Sequence, residues 1–300
     1  MYSHKSGQLG NRLFAFSHLI ANAVDNSYTI VNLSFDEYAK YFITTRQDAF
    51  CRYPQTSGRL KSDWIRSALF LLNRVVLKFL RSASVLKSVW HEVVVADLPE
   101  YQYYTGQYYL LASSSFQQKI RADRFLFLFG RFFRDYDALE KHQNIIRNYF
   151  RPIPEIQQNV SEFIERVRTP GKLIIGVHIR GGDYKEFLGG RYFYEQQDYH
   201  NKMLELQSSE PTREMEFIIC SNEPIDVNLF PGLSCHAGPG HLVEDMYTFA
   251  ACDFIVGPPS TYTRWASFYG NVPLFQLDSL QKSIRLSAFS MLEKEVLYNF

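Results

Sequence analysis

The stretch "KLIIGVHIRGGDY", residues 172–184, decides how this chain is read. Leu173, Ile174 and Ile175 form the unbroken apolar run of a strand buried on both faces. The run then gives way to His178, Arg180, Gly181, Gly182 and Asp183 within six positions. A strand interior disfavours such polarity, because each buried polar group needs a partner. The carboxyl end of a parallel strand accommodates it, since open α/β sheets bind ligands in the crevice beyond those ends. The segment is read as a strand over 172–179 that opens into a glycine turn facing a ligand.

Downstream, strands and helices alternate. A helix is expected over 194–208, a strand over "MEFIICS" (215–221) and a helix over "LVEDMYTFAAC" (242–252). The strand "DFIVG" (253–257), the helix "TYTRWASFYG" (261–270) and the strand "VPLFQL" (272–277) follow. Strands separated by helices of this length make a doubly wound parallel sheet. Its strand ends carry, in turn, His178, Arg180 and Asp183; then Ser221, Asn222 and Glu223; then Pro258, Pro259, Ser260 and Thr261. An arginine fork, a Ser/Thr pair and a helix N-terminus suit a phosphate or diphosphate. Neither a G-x-x-x-x-G-K-[ST] loop nor a G-x-G-x-x-G turn is present, which argues against an ordinary NTPase or dehydrogenase.

Upstream, "GNRLFAFSHLIANAVDN" (10–26) has helical spacing and "YTIVNL" (28–33) reads as a strand. A strand before Gly7 is expected, although only "MYSHKS" remains to form it. "EVVVAD" (92–97) and "FLFLFG" (125–130) look like buried strands, and 135–150 like a helix capped by Asp135 or Asp137. The "DYD" at 135–137 could be a metal-binding D-x-D, but its place before a helix favours capping. Prolines in "RPIPEI" (151–156), a helix over 156–168 and "TPGK" place a domain boundary within 150–170. The domains are drawn as 1–155 and 156–280, with a terminal helix over 281–300.

Residues 64–90 hold five basic residues and no acid. Arg66, Arg74, Lys78 and Arg81 fall within an arc of about 120° on a helix. One reading is a helix lying on anionic lipid as a weak peripheral contact. The other is a surface helix packed on its own domain with its basic face solvated. The second is favoured, because Phe70 and Leu77 intrude on the polar arc.

The 300 residues are 46% hydrophobic and carry a formal net charge of +1, enough for a full core and too little for bulk nucleic-acid binding. The 25 Phe and 20 Tyr offer rings for the core and for stacking on a base or sugar. Four cysteines lack C-x-x-C spacing, Cys220 and Cys252 look buried, and no apolar run approaches a membrane span. A reducing, cytoplasmic setting is expected.

"GVHIRGGDY" resembles the H-x-R motif of the GDP-fucose-dependent fucosyltransferases. "SGQLGNRLFAF" (6–16) is similar to the family's N-terminal G-x-L/F-G-N-Q/R motif. "EDMYTFAACDFIVGPPSTYTRWASFYG" (244–270) resembles its third motif. The three stand in the family's order, and the length and the "GDY" ending look most like the bacterial α-1,2 branch. The resemblance implies a GT-B fold: two facing Rossmann-like domains with parallel sheets, acceptor side first and GDP-sugar side second. It implies inverting transfer of L-fucose from GDP-β-L-fucose to a glycan hydroxyl, with no metal or further cofactor. Arg180 would bind the β-phosphate and His178 the nucleotide. Asp245 would contact guanine, Ser260 and Thr261 the phosphates, and Ser221 would border the donor. Gly10 and Asn11 would sit where donor and acceptor meet.

Two positions depart from the pattern: Gly181 stands where many relatives have a second arginine, and Arg12 where Gln is frequent. Asp183 and Glu186 are the acids nearest the arginine and the candidates for the general base. The register of the glutamate used by some relatives does not match Glu186, and Asp183 could instead brace Arg180. Another GDP- or UDP-sugar donor, or a non-catalytic glycan- or nucleotide-binding protein, are the alternatives.

Overall fold

The structure, a computed structural model, describes residues 1–2, 4–5, 7–55, 62–82, 91–94, 108–122, 126–129 and 133–292. The chain divides into two compact units between Ile153 and Pro154.

In the first unit, helix α1 (Leu9–Asn26) buries Leu9, Leu13, Phe16, Ile20 and Ala23 and ends at Ser27 in the left-handed region (φ 55°). Strand β1 (Ile30–Val31) pairs antiparallel with β2 (Arg52–Tyr53). The strand expected before Gly7 exists at its shortest: buried Tyr2 bridges in parallel to both Asn32 and Leu128. Strand β3 (His91–Val94) lies parallel to β4 (Leu126–Phe129), so a parallel sheet is pieced together from short ladders. The outer residues of "EVVVAD" and "FLFLFG" at 95–97, 125 and 130 lie outside the described residues.

Helix α2 (Asp63–Ser82) corrects the helical-wheel reading. Arg66 does not join a solvated basic face; it is 1% exposed. Its guanidinium pairs with Asp63 and donates to the carbonyls of Thr45 and Arg46. Phe70 and Asn73 are buried on the same side, and Leu71, Leu72, Val75 and Val76 face solvent. The helix expected over 135–150 is broken at His142 into α3 (Tyr136–Lys141) and α4 (Gln143–Tyr149). Asp135 caps α3 by accepting from the Ala138 N–H at 3.1 Å, and it also accepts from Asn22 at 2.7 Å. The "DYD" therefore caps a helix.

The second unit opens with α5 (Pro154–Val167) and holds one five-stranded parallel sheet. Its strands are β5 (Leu173–Ile179), β6 (Met215–Ser221), β7 (Ser234–Ala237), β8 (Phe254–Gly257) and β9 (Leu274–Gln276), in the spatial order β9-β8-β5-β6-β7. Helices α6 (Gln196–Ser209), α7 (Leu242–Phe249) and α8 (Thr261–Gly270) connect them. The chain starts in the centre, moves to one edge, then crosses to the other side. The reversal between β5 and β8 is where a sheet of this type opens its crevice.

β5 is buried almost throughout and its side chains alternate between faces. Ile175, Val177 and Ile179 pack into a core with Tyr199, Met203 and Phe217. On the other face a Cβ at Gly176 would stand 2.5 Å from the Phe249 ring, so glycine lets α7 approach. The terminal helix expected over 281–300 is absent from 281–292. That stretch is a short 3-10 turn, Leu286–Ala288, followed by a bridge from Ser290 to Leu274 that extends the backbone. Residues 293–300 lie outside the described residues.

Candidate nucleotide-sugar site

The even-numbered face of β5 delivers His178 and then Arg180 to the carboxyl end of the sheet. His178 is 4% exposed, between Phe249 and Tyr262, whose ring centroids lie 5.9 and 5.0 Å away. Burial, with the Arg180 charge added, pushes its pKa down to about 3, so the imidazole is neutral at ordinary pH. Its Nδ1 is buried without a hydrogen-bond partner. A buried polar atom left this way is costly in the free protein and is readily satisfied by a bound ligand.

Arg180 is gripped by Asp183. Nε donates to Oδ1 at 3.0 Å and Nη2 to Oδ2 at 2.8 Å, the fork geometry of an arginine–carboxylate pair. The guanidinium lies 5.0 Å from the centre of the Tyr184 ring, and the Tyr184 hydroxyl donates to the Pro259 carbonyl at 2.8 Å. Both Asp183 oxygens are thus taken by the arginine, the geometry of a brace. Glu186 is exposed at the end of the next turn.

The two glycines are held from the neighbouring strand end. Gly181 N–H donates to Asn222 Oδ1 at 2.9 Å and Gly182 N–H to Glu223 Oε1 at 3.0 Å. A Cβ at Gly181 would stand 2.2 Å from Glu223 Oε2, so this carboxylate fills the space that a side chain would need. That accounts physically for glycine at the position where many members of the resembled family have a second arginine. Gly182 sits at φ 55°, and a Cβ there would also meet Asn222 Nδ2 at 2.9 Å. Gly182→Ala is expected to cost about 1–2 kcal/mol, read as a melting temperature lowered by roughly 2–8 °C. An unchanged melting curve would show that the turn is not held in this conformation.

Asp245 lies in the first turn of α7, 6% exposed. Its Oδ1 accepts from the Gly240 N–H at 2.8 Å. Burial raises its pKa to about 6, against partial relief from the Gly240 N–H and the neighbouring Cys220 thiol. Cys220 and Cys252 are buried free thiols. Ser260 caps α8: its hydroxyl accepts from the Tyr262 N–H at 3.1 Å, and Thr261 begins the helix. Ser221 Oγ accepts from the Glu223 N–H at 3.1 Å and so shapes the loop that reaches the glycines. These residues share one end of one sheet.

Gly10 and Asn11 belong to the first unit. Gly10 is buried in α1 and Asn11 is exposed. Gly7, at φ 60°, leaves no room for a Cβ beside the Asn11 amide, which would lie 2.1 Å away. Arg12, where the motif often has Gln, pairs with Glu37 at 2.9 Å and donates to the Gly7 carbonyl at 3.2 Å. It holds the turn and the loop after β1 together.

Sequence reasoning placed Asn222 and Glu223 at a strand end without seeing that they hold the glycines, and it missed Tyr262 against His178. The run Ser221, Asn222 and Glu223 carried a signal of polarity and none of its target. No group of three or more His, Cys, Asp or Glu that could hold a metal ion occurs among the described residues.

Solved structures share this architecture. Arabidopsis thaliana FUT1, solved as a mutant in complex with GDP, superposes over 92% of this chain and 70% of its own, with a TM-score of 0.56 and 11% identity. Fucosyltransferase NodZ from Bradyrhizobium covers 94% of this chain and 95% of its own, with a TM-score of 0.53 and 15% identity. The chain has the GT-B fold of these fucosyltransferases. NodZ α-1,6-fucosyltransferase soaked with GDP-fucose gives a TM-score of 0.52 at 16% identity, over 97% of this chain and 98% of its own. In sequence, Nodulation protein Z of Azorhizobium caulinodans is 29% identical over 145 residues, covering 37% of this chain and 44% of the relative. The chain thus spans under half the length of the curated relative it matches. No family model matches the chain.

Proposed function

We propose that the chain is an inverting fucosyltransferase that moves L-fucose from GDP-β-L-fucose to a hydroxyl of a glycan acceptor. The observation that supports this most is the braced Arg180 beside the buried, neutral His178 at the sheet's reversal point. Breaking the bond from fucose to diphosphate builds negative charge on the leaving oxygen. A guanidinium whose plane is fixed meets that charge without reorganising. Neutral His178 offers one ring nitrogen as donor and the other as acceptor to the nucleotide without repelling Arg180. Asp245 takes the N1–H and exocyclic amine of guanine. Ser260 and Thr261 set the N-terminus of α8, whose N–H groups favour phosphate oxygens. Asp183 is committed to Arg180, which leaves Glu186 as the acid of this loop able to accept the acceptor's proton.

Glu223 fills the Gly181 space with a carboxylate, and that favours testing a second reading, another nucleotide sugar on the same site. Hydrolysis of GDP-fucose, GDP-mannose and UDP-sugars by the purified chain separates the two. Turnover of GDP-fucose well above the rest is expected. Preferred turnover of a UDP-sugar would overturn the fucosyl reading, and no turnover of any donor would favour a binding protein.

A further inference from the structure

We propose that α2 docks the chain on an anionic lipid surface through its outward apolar face. The helix is amphipathic in an unusual sense. It turns Arg66, Phe70 and Asn73 inward and leaves Trp64 72%, Leu71 59%, Leu72 58% and Val75 66% exposed. These four side chains fall within an arc of about 100° on one face. An uncovered apolar stripe of this width on a water-facing helix marks an interaction surface.

Charge decides the occupant. Residues 64–90 contain five basic residues and no acid, in a chain whose net charge is only +1. One of the five, Arg66, is spent inward on Asp63 and two carbonyls. Arg74 is exposed beside the stripe and next to the Phe70 ring, 5.9 Å from its centre. Two copies meeting through this face would bring together two segments of net positive charge, whose single acid, Asp63, is already paired with Arg66, and that opposes a symmetric dimer. An anionic membrane satisfies both features at once: the apolar side chains enter the acyl boundary and Arg74, beside them, meets the headgroups. Among the described residues no helix is long and apolar enough to cross a membrane, so α2 lies on the surface. For an enzyme or a binding protein alike, this would concentrate the chain where lipid-linked or membrane-proximal ligands are found.

Flotation of the full chain with vesicles of phosphatidylcholine, alone or mixed with phosphatidylglycerol, tests this. Binding to the mixed vesicles is expected to exceed binding to neutral ones by about tenfold or more, and to weaken with salt. Leu72→Ser with Val75→Ser removes apolar contact from two exposed positions, so folding and melting temperature should hold. Binding should fall about tenfold or more. Three results would overturn the proposal. The wild-type chain could fail to float with mixed vesicles, or the double variant could bind as well as wild type. Light scattering could also detect a lipid-free dimer that the double variant dissolves, which would assign the face to a second copy.

Discussion

Arg180→Lys is expected to lower kcat by roughly 10²–10³-fold with little change in KM for the donor. Lysine keeps the charge, so a merely electrostatic role would survive the change. It loses the planar fork, and with it the pair of parallel bonds to Asp183 at 3.0 and 2.8 Å. The ammonium becomes a mobile point charge on a flexible stem. In the ground state the diphosphate already carries charge, and the lysine ammonium still meets it, so binding suffers less. In the transition state further charge develops on the leaving oxygen, and an interaction strongest there acts on kcat. Asp183→Asn should give a smaller loss in the same direction, because the carboxylate braces the arginine and does not touch the donor. Single-turnover assays on folded variants, checked by circular dichroism, read both. Near wild-type kcat in Arg180→Lys would make the arginine structural and remove it from the proposed chemistry.

How far the sequence spoke depended on where the information lay. β6 (Met215–Ser221) and α8 (Thr261–Gly270) stand at the residues their patterns indicate, because an apolar run between polar ends is a local signal. β7 (Ser234–Ala237) gave none. It is a four-residue edge strand with exposed ends, and it exists because β6 offers it a ladder. Arg66 misled for a related reason. A helical wheel counts a guanidinium as solvated, whereas the carbonyls of Thr45 and Arg46, some twenty positions back, draw it into the unit. The polarity at the strand ends was legible as residue types: His178 and Arg180 at the end of β5 and Ser260 after β8 stand at the same end of the parallel sheet, whereas Asp245 came only from the resemblance. The Glu223 carboxylate in the space beside Gly181 was not legible. It depends on two strand-end loops, 41 residues apart, crossing at one point.

Asp245→Ala is expected to weaken GDP binding on the order of 10²-fold and to remove the preference for GDP over UDP. Two charge-assisted hydrogen bonds to guanine would be lost, each worth about 1.5–3 kcal/mol, with part of the loss offset by water. UDP should be affected little, because uracil flanks its N–H with two carbonyls that a carboxylate repels. The pH dependence is the sharper test. Burial raises the Asp245 pKa from 3.8 to about 6 in the free protein. A folded-state pKa above the unfolded one means that the folded chain holds this proton more tightly. The group's contribution to stability is therefore greatest at low pH and declines as pH rises from 3.8 to about 6. GDP acts in the opposite sense, since its N–H donors favour the ionised form. Relative to that of UDP, whose terminal phosphate titrates alike, its affinity should be constant above about pH 6 and fall towards tenfold per pH unit below it. Titration calorimetry of GDP and UDP across that window, on wild type and Asp245→Asn, measures the effect. A GDP-to-UDP affinity ratio that still bends near pH 6 in Asp245→Asn would assign the titration to another group, and equal affinity of wild type for GDP and UDP would remove Asp245 from base recognition.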